Sequence, residues 1–506
     1  MRGHLLIRWF HTFLALSLAT AESSHALARK KFDFIVGVDG DFKAALAAAA
    51  RGASASNRFL IFFPDGEYDI GGLTGDANQM TTFPTSNVSF IGQNETRTVV
   101  FNKSRNEGIS ITATLNFKQA DNLYLQDLSI MNRANYGDIA TYNTTGRHVA
   151  VQEQGSKFIY KNVRLLSTQD TYYTKSTRTY WENGQIHGTT DFICGDGDVF
   201  FNGVLLFEMK KSAMTAPSTT TPWGYVFKNC IIDGDVSDFN LGRSWNTAKA
   251  VFLNTTMRKL PAAAGWGDPM NTNPQVFAEY RSITASGSLI DLSRRRGSYA
   301  KGVTVTLNPV LTDAEAARYT VANVLSGNDN WQPQNLVRQV AAPVVSLAGS
   351  QATWADDPDA LGWVVFRNGK YLANVVGPAF DVSTLAAGDL VTVRAANSMG
   401  GLGAASVAVK VGTPTGIAGS SFEASRPMRV VRRGHPVFAL EGFGGAPVEV
   451  TLRDAGGATL YRERLAGLVN PPVVDLSALG LASGLYFATA VTPDRPTKAF
   501  LLRIDE

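Results

Sequence analysis

Apolar positions in the first half of the chain fall in short clusters rather than at helical spacing. An aromatic-x-Asn triplet recurs, each copy followed by a short apolar run. The copies are Tyr160-Lys161-Asn162, Trp181-Glu182-Asn183, Phe200-Phe201-Asn202, Phe227-Lys228-Asn229 and Phe252-Leu253-Asn254, with Leu125-Gln126-Asp127 as a degenerate earlier one. Successive asparagines are 21, 19, 27 and 25 residues apart, within the roughly 20–50-residue periods of stacked arrays. The runs that follow, such as Val163-Arg164-Leu165-Leu166 and Val204-Leu205-Leu206-Phe207, are short and β-branched or aromatic, as strands are. Each period is too short to hold a helix as well. The pattern predicts an all-β chain whose main body is a parallel β-helix, its stacked coils burying one long core. A β-sandwich with accidental spacing explains the regularity less well.

The flanks read differently. Asp41 to Arg51 is alanine-rich and predicts a helix that closes the open end of the stack. Phe59 to Phe63 reads as a buried strand that turns at Pro64-Asp65-Gly66. After Trp331-Gln332-Pro333 the texture changes. Residues 341–412 predict a small β-sandwich, with Asn368-Gly369 as a hairpin turn. Residues 413–425 read as a Gly/Ser/Thr-rich linker and 426–506 as a second small β unit. Residues 1–28 have the pattern of a secretory signal: Arg2 and Arg8, an apolar run from Phe10 to Leu18, then Ala26-Leu27-Ala28 as a cleavage site. That run is too short to span a membrane, so a secreted, extracellular or cell-surface protein with no membrane span is expected.

Composition adds exclusions. The formal charge of +4 is not gathered into long basic tracts. Arg294-Arg295-Arg296 is a tight run, read as a solvated loop in preference to a nucleic-acid patch, so no nucleic-acid partner is expected. The two cysteines, Cys194 and Cys230, are too few for a disulfide scaffold. They pair if the fold brings them together and are otherwise two buried thiols. The six histidines show no ligand spacing, so no metal site is expected.

Three short motifs carry chemistry: Gln169-Asp170-Thr171-Tyr172-Tyr173, Gly188-Thr189-Thr190-Asp191-Phe192-Ile193-Cys194-Gly195, and Leu241-Gly242-Arg243-Ser244-Trp245. Asp170 and Asp191 are 21 residues apart, close to one coil, so they are expected on the same face of adjacent coils. Two such carboxylates resist ionising together. One stays anionic and can attack a carbonyl, and the other keeps a proton for a leaving group. Gln169 offers amide donors to a developing oxyanion, Arg243 can hold the ionised aspartate, and Trp245 offers a flat face to a sugar ring. Taken singly, each residue reads as structural; their combination at coil-compatible spacing favours an ester hydrolase.

On these motifs the chain resembles the pectinesterase (pectin methylesterase) family. QDTYY resembles the family's QDT(L/Y)Y, GTTDFICG its GTVDFIFG, and LGRSW its LGRPW. Pro64-Asp65-Gly66-Glu67-Tyr68 resembles an early GxY element, and the likeness runs from about Phe34 to Trp331. The resemblance implies a right-handed parallel β-helix as catalytic domain, over residues 29–335, followed by the two small sandwich-like domains. It implies hydrolysis of galacturonate methyl esters in pectin (homogalacturonan), releasing methanol with no cofactor. Asp191 corresponds to the nucleophile, Asp170 to the acid/base, Gln169 to the transition-state stabiliser, and Arg243 and Trp245 to cleft residues. Residues 341–412 resemble a fibronectin type III-like module. Residues 426–506 resemble a type IX secretion C-terminal sorting domain, which implies engagement of secretion machinery.

Three positions depart from the family pattern. The glutamine of its QAVAL element, which helps form the oxyanion hole, falls by register on Arg147. Either Arg147 serves as a cationic donor, the preferred assignment, or Gln152 takes the role through a shifted strand. Cys194 stands where phenylalanine is usual, and Ser244 where proline is usual. The competing readings are a polygalacturonate-cleaving enzyme, whose motifs are missing, and a catalytically silent glycan-binding β-helix, which would be expected to lose one of the paired aspartates.

Overall fold

The computed structural model describes residues 27–136 and 146–412 and, beyond these, strands between Arg429 and Ile504. Residues 1–26 of the expected signal peptide, and the whole 413–425 linker, lie outside the described residues. The chain divides into two compact units, Met1–Pro414 and Thr415–Glu506. Among the described residues no helix is long and apolar enough to cross a membrane.

The first unit is a parallel β-helix with a small antiparallel module packed on it. One sheet stacks Phe34–Ile35, Phe59–Phe63, Val88–Gly92, Tyr124–Gln126, Phe158–Lys161, Tyr172–Glu182, Ile193–Asn202, Tyr225–Lys228, Lys249–Leu253 and Val276–Tyr280, all parallel. A second runs from Gly66–Asp69 to Ile283–Thr284. A third, shorter set holds Leu115–Lys118, Val151–Gln154, Ala213–Pro217 and Asn240–Gly242. In two coils the strand is long enough to serve both first and third sheets. These are Tyr172–Glu182 and Ile193–Asn202, which pair with a register shift between Thr174 and Thr177.

The triplet repeat marks the corner between first and second sheets. Asn162, Asn183, Asn229 and Asn254 all have left-handed backbone, with φ of 50 to 57°, a conformation Asn tolerates better than most residues. Asp127, from the degenerate copy, takes the same conformation at φ 55°. The copy at Asn202 is offset by one: Asn202 pairs with Lys228, and Gly203, at φ 69°, fills the corner. The aromatic residues ahead of the corners stack inside the helix. Tyr160 on Trp181, Phe201 on Phe227 and Phe227 on Phe252 lie at centroid distances of 4.2, 4.4 and 4.4 Å, all nearly parallel. The helix Phe42–Gly52, capped by the Asp41 side chain, closes the first coil by setting Phe42 against Phe63 and Phe90.

All five residues of Phe59–Phe63 are buried, because both faces of that strand are covered. Ile61 and Phe63 point into the coil core, while Leu60 and Phe62 join an outer cluster with Val364, Phe366 and Leu402. Those three belong to a module of antiparallel strands between Ser346 and Lys410, which has a core of its own around Trp354 and Trp363. Its hairpin turns at Asn368-Gly369, both at positive φ. Arg394 of the module donates to Asp127 Oδ2 at 2.9 Å and to the Gln93 carbonyl at 2.7 Å. Among the described residues, the second unit holds two antiparallel sheets, one pairing Gly484–Thr492 with Arg495–Ile504.

One reading changes, and the alternative left open for the cysteines is decided in favour of two buried thiols. Arg295 is not in a solvated loop: it is 8% exposed and ion-paired with the fully buried Glu279. Cys194 and Cys230 are both buried and both free thiols.

Candidate active site

Asp170 and Asp191 share one position in successive coils. Each stands two residues before a strand, and the residues there, Tyr172 and Ile193, pair in register. Neighbouring strands lie about 4.8 Å apart, so the two carboxyl groups project from adjacent rungs. Both aspartates have left-handed backbone, with φ of 58° and 48°. The turns are fixed by Asp170 N–H on Thr190 O (3.2 Å), Asp191 N–H on Ala213 O (2.6 Å), and the Thr171 hydroxyl on His187 O (2.7 Å). Each aspartate is 5% exposed.

Arg243 follows the strand Asn240–Gly242, two rungs beyond Asp191 on the third sheet. Its Nε donates to Asp191 Oδ1 at 2.9 Å and its Nη2 to Oδ2 at 2.6 Å, a planar two-point grip. Gly242 is required here, since a Cβ would lie 2.3 Å from Thr215 Oγ1.

The electrostatics separate the two acids. Burial, followed by the charge of Asp191, pushes Asp170 up to about 8, against the opposing pull of Arg147, the Cys194 thiol and Arg243. Burial also raises Asp191, but its hydrogen bonds from Arg243 act against that rise. The proton of the pair therefore resides on Asp170, and Asp191 carries the charge.

Around the pair lies a small apolar cluster of Ala113, Val149, Tyr173, Cys194 and Ala216, flanked by Trp245 and Met270. Trp245 is tilted against Tyr173 with centroids 6.3 Å apart, and its backbone N–H bonds Pro217 O at 3.0 Å. Cys194 pairs in register with Tyr173 and Ala216, and its thiol lies close enough to the Asp170 carboxyl for the two to shift each other's titration. Burial and the two aspartates push that thiol far up, so it stays protonated. Ser244 is fully buried, with its hydroxyl on Thr272 O at 2.5 Å, which accounts for a serine at that position.

The oxyanion candidates separate clearly. Arg147 pairs with Gln169 across adjacent rungs. The Gln169 side chain makes no hydrogen bond among the described residues. Gln152 instead pairs with Tyr173 and Asn116 and is 1% exposed, with its Oε1 unpartnered. Arg147 does not reach across freely, because it is forked onto Glu107, with Nε at 2.8 Å and Nη2 at 2.9 Å. Neither Glu107 nor Tyr173 had been singled out as a site residue. Tyr173 was visible inside the first motif, whereas Glu107 has no motif around it.

Comparison with known proteins follows from this geometry. The Pectinesterase family model matches residues 34–328. The chain is similar to putative pectinesterase/pectinesterase inhibitor 26 of Arabidopsis thaliana, at 31% identity over 39% of this chain and 22% of that protein. It is similar to pectinesterase 2 of Citrus sinensis at 26% identity, over 57% of this chain and 55% of that protein. Among solved structures it is similar to pectin methylesterase PemA from Erwinia chrysanthemi, at 24% identity and a TM-score of 0.47, over 60% of this chain and 99% of that one. Against the first plant relatives it spans about half of their length or less. The family match covers more than half of the chain, from the capped first coil past the helix Val321–Leu325: this chain belongs to the pectinesterase family.

Proposed function

We propose that this protein hydrolyses galacturonate methyl esters in pectin, releasing methanol and leaving de-esterified pectin. The observation that carries the proposal is the split pair, with Asp191 gripped by Arg243 and Asp170 beside it still protonated near neutral pH.

The steps follow from that split. Asp191 attacks the ester carbonyl carbon, and the carbonyl oxygen becomes an oxyanion facing Gln169 and Arg147. The C–O bond to the methoxy group breaks as Asp170 gives it a proton, so methanol leaves and Asp191 is acylated. Asp170, now a carboxylate, takes a proton from a water, which attacks the acyl carbon. The acyl C–O bond to Asp191 breaks, so Asp191 regains its charge; the product leaves as the carboxylic acid, which gives its proton to solvent, and Asp170 keeps the proton it took from the water. Trp245 and Tyr173 supply the face on which the sugar lies. The proposal includes the right-handed winding, export through residues 1–28, the fibronectin-like nature of residues 341–412, and secretion-related sorting by residues 426–506.

The test is methanol release from highly methylated pectin by the wild type, Asp191→Ala and Asp170→Ala, each checked for folding by circular dichroism. Methanol from the wild type alone supports the proposal. A folded wild type that releases none overturns it, and glycan binding without turnover becomes the reading.

A further inference from the structure

The Arg147 side chain is 43% exposed and its partner Glu107 is 47% exposed. An exposed ion pair adds little to stability. This one is nevertheless built at several points. Glu107 Oε2 accepts from both the backbone N–H and the Nε of Arg147, at 3.2 and 2.8 Å, and Oε1 accepts from Nη2 at 2.9 Å. From the same loop, the Gly108 N–H and the Thr112 hydroxyl both bond the Arg147 carbonyl, at 2.9 and 3.2 Å. Arg147 is thus clamped at backbone and side chain by residues 107–112, on the rung beside Gln169. Its Nη1 makes no hydrogen bond among the described residues, and its charge acts on Asp170.

A free arginine samples many rotamers, whereas a forked one presents its remaining edge in one direction. We infer that Glu107 is a positioning residue for the esterase reaction: it fixes the Arg147 guanidinium beside Gln169, so that a cation supports the oxyanion. This inference rests on the proposed activity. It assigns Glu107 a role through Arg147 and no contact with substrate. The hydrogen bonds from Arg147 hold the Glu107 carboxyl down at about 2, so the clamp stays intact from mildly acidic to alkaline pH.

The experiment is a double-mutant cycle on methanol release from methylated pectin, using Glu107→Gln, Arg147→Gln and the pair, with kcat and KM read separately. Misplacing a transition-state donor costs turnover more than binding, so Glu107→Gln is expected to lower kcat by about ten-fold or more with KM within about two-fold. Glu107→Asp, which keeps the charge, restores part of the loss. With Arg147→Gln already present, Glu107→Gln adds nothing further. An unchanged or higher kcat in Glu107→Gln overturns the inference, and so does an equal loss in both backgrounds, which would mark Glu107 as merely structural. A wild type without activity overturns the esterase reading itself, a result the cycle distinguishes.

Discussion

Arg243 grips Asp191 at two points, Nε to Oδ1 at 2.9 Å and Nη2 to Oδ2 at 2.6 Å. The grip decides which of the two buried aspartates is charged. Asp170 has the same burial and no arginine fork, and burial with the charge of Asp191 raises it to about 8.

The pH dependence follows from that asymmetry. In the proposed mechanism turnover needs Asp170 protonated, so kcat/KM should fall as pH rises through about 8. It also needs Asp191 ionised, so activity falls on the acid side. Arg243 opposes the upward shift of Asp191. Arg243→Gln removes that opposition, so the acid limb should move to higher pH as kcat drops. A pH series of methanol release on both proteins checks this; an unmoved acid limb would assign that limb to another group.

Holding Asp170 neutral has a cost in stability. The unfolded chain ionises this aspartate near 3.8, and the folded chain only near 8. Between those values the unfolded state has lost a proton that the folded state keeps. The stability this group contributes is therefore full below about 4 and declines as pH rises to about 8. Asp170→Asn cannot ionise. Its melting temperature should exceed that of the wild type at pH 8, and the gap should close towards pH 4. Thermal melts at both pH values test the sign.

Trp245 leans on Tyr173 at 6.3 Å beside the aspartates and forms no part of the proton chemistry. Trp245→Ala should therefore raise KM for pectin by about ten-fold with a smaller change in kcat, as expected when stacking surface is lost. A change confined to kcat would place the indole in the transition state instead.

The module at 341–412 shares an apolar cluster with the outer face of the coils, where Phe366 and Tyr371 meet Phe62 at centroid distances of 6.4 and 5.4 Å. Phe366→Ala should destabilise the first unit by about 3–5 kcal/mol. Calorimetry should show one transition moving down for coils and module together. Two transitions, with the coil transition unmoved, would show the module to be an independent bead.

Much of this was legible in the sequence. The corner asparagines announced the coils because one backbone conformation recurs there, and the 21-residue gap placed Asp170 and Asp191 on adjacent rungs. The copy at Asn202 was misregistered because Gly203 takes the left-handed corner without a side chain to mark it. Phe59–Phe63 read as buried, yet nothing in its pattern named the module that covers it. Glu107 was illegible because its partner is 40 residues away and their meeting depends on a loop path that no local pattern encodes. Arg295 looked solvated because its counter-charge, Glu279, comes from a neighbouring coil.

The central claim is that Asp191 becomes acylated. Turnover of methylated pectin in hydroxylamine, followed by tryptic mass mapping, tests it directly. The two aspartates fall on different peptides, Asp170 between Arg164 and Lys175 and Asp191 between Arg178 and Lys210. The expected result is a substrate-dependent net gain of about 15 Da on the Asp191 peptide, as the hydroxamate formed where hydroxylamine attacks the aspartyl carbonyl of the anhydride, and absent from Asp191→Asn. A mark on the Asp170 peptide, or neither an Asp191 hydroxamate nor a galacturonate hydroxamate from enzyme turning over in hydroxylamine, would contradict it.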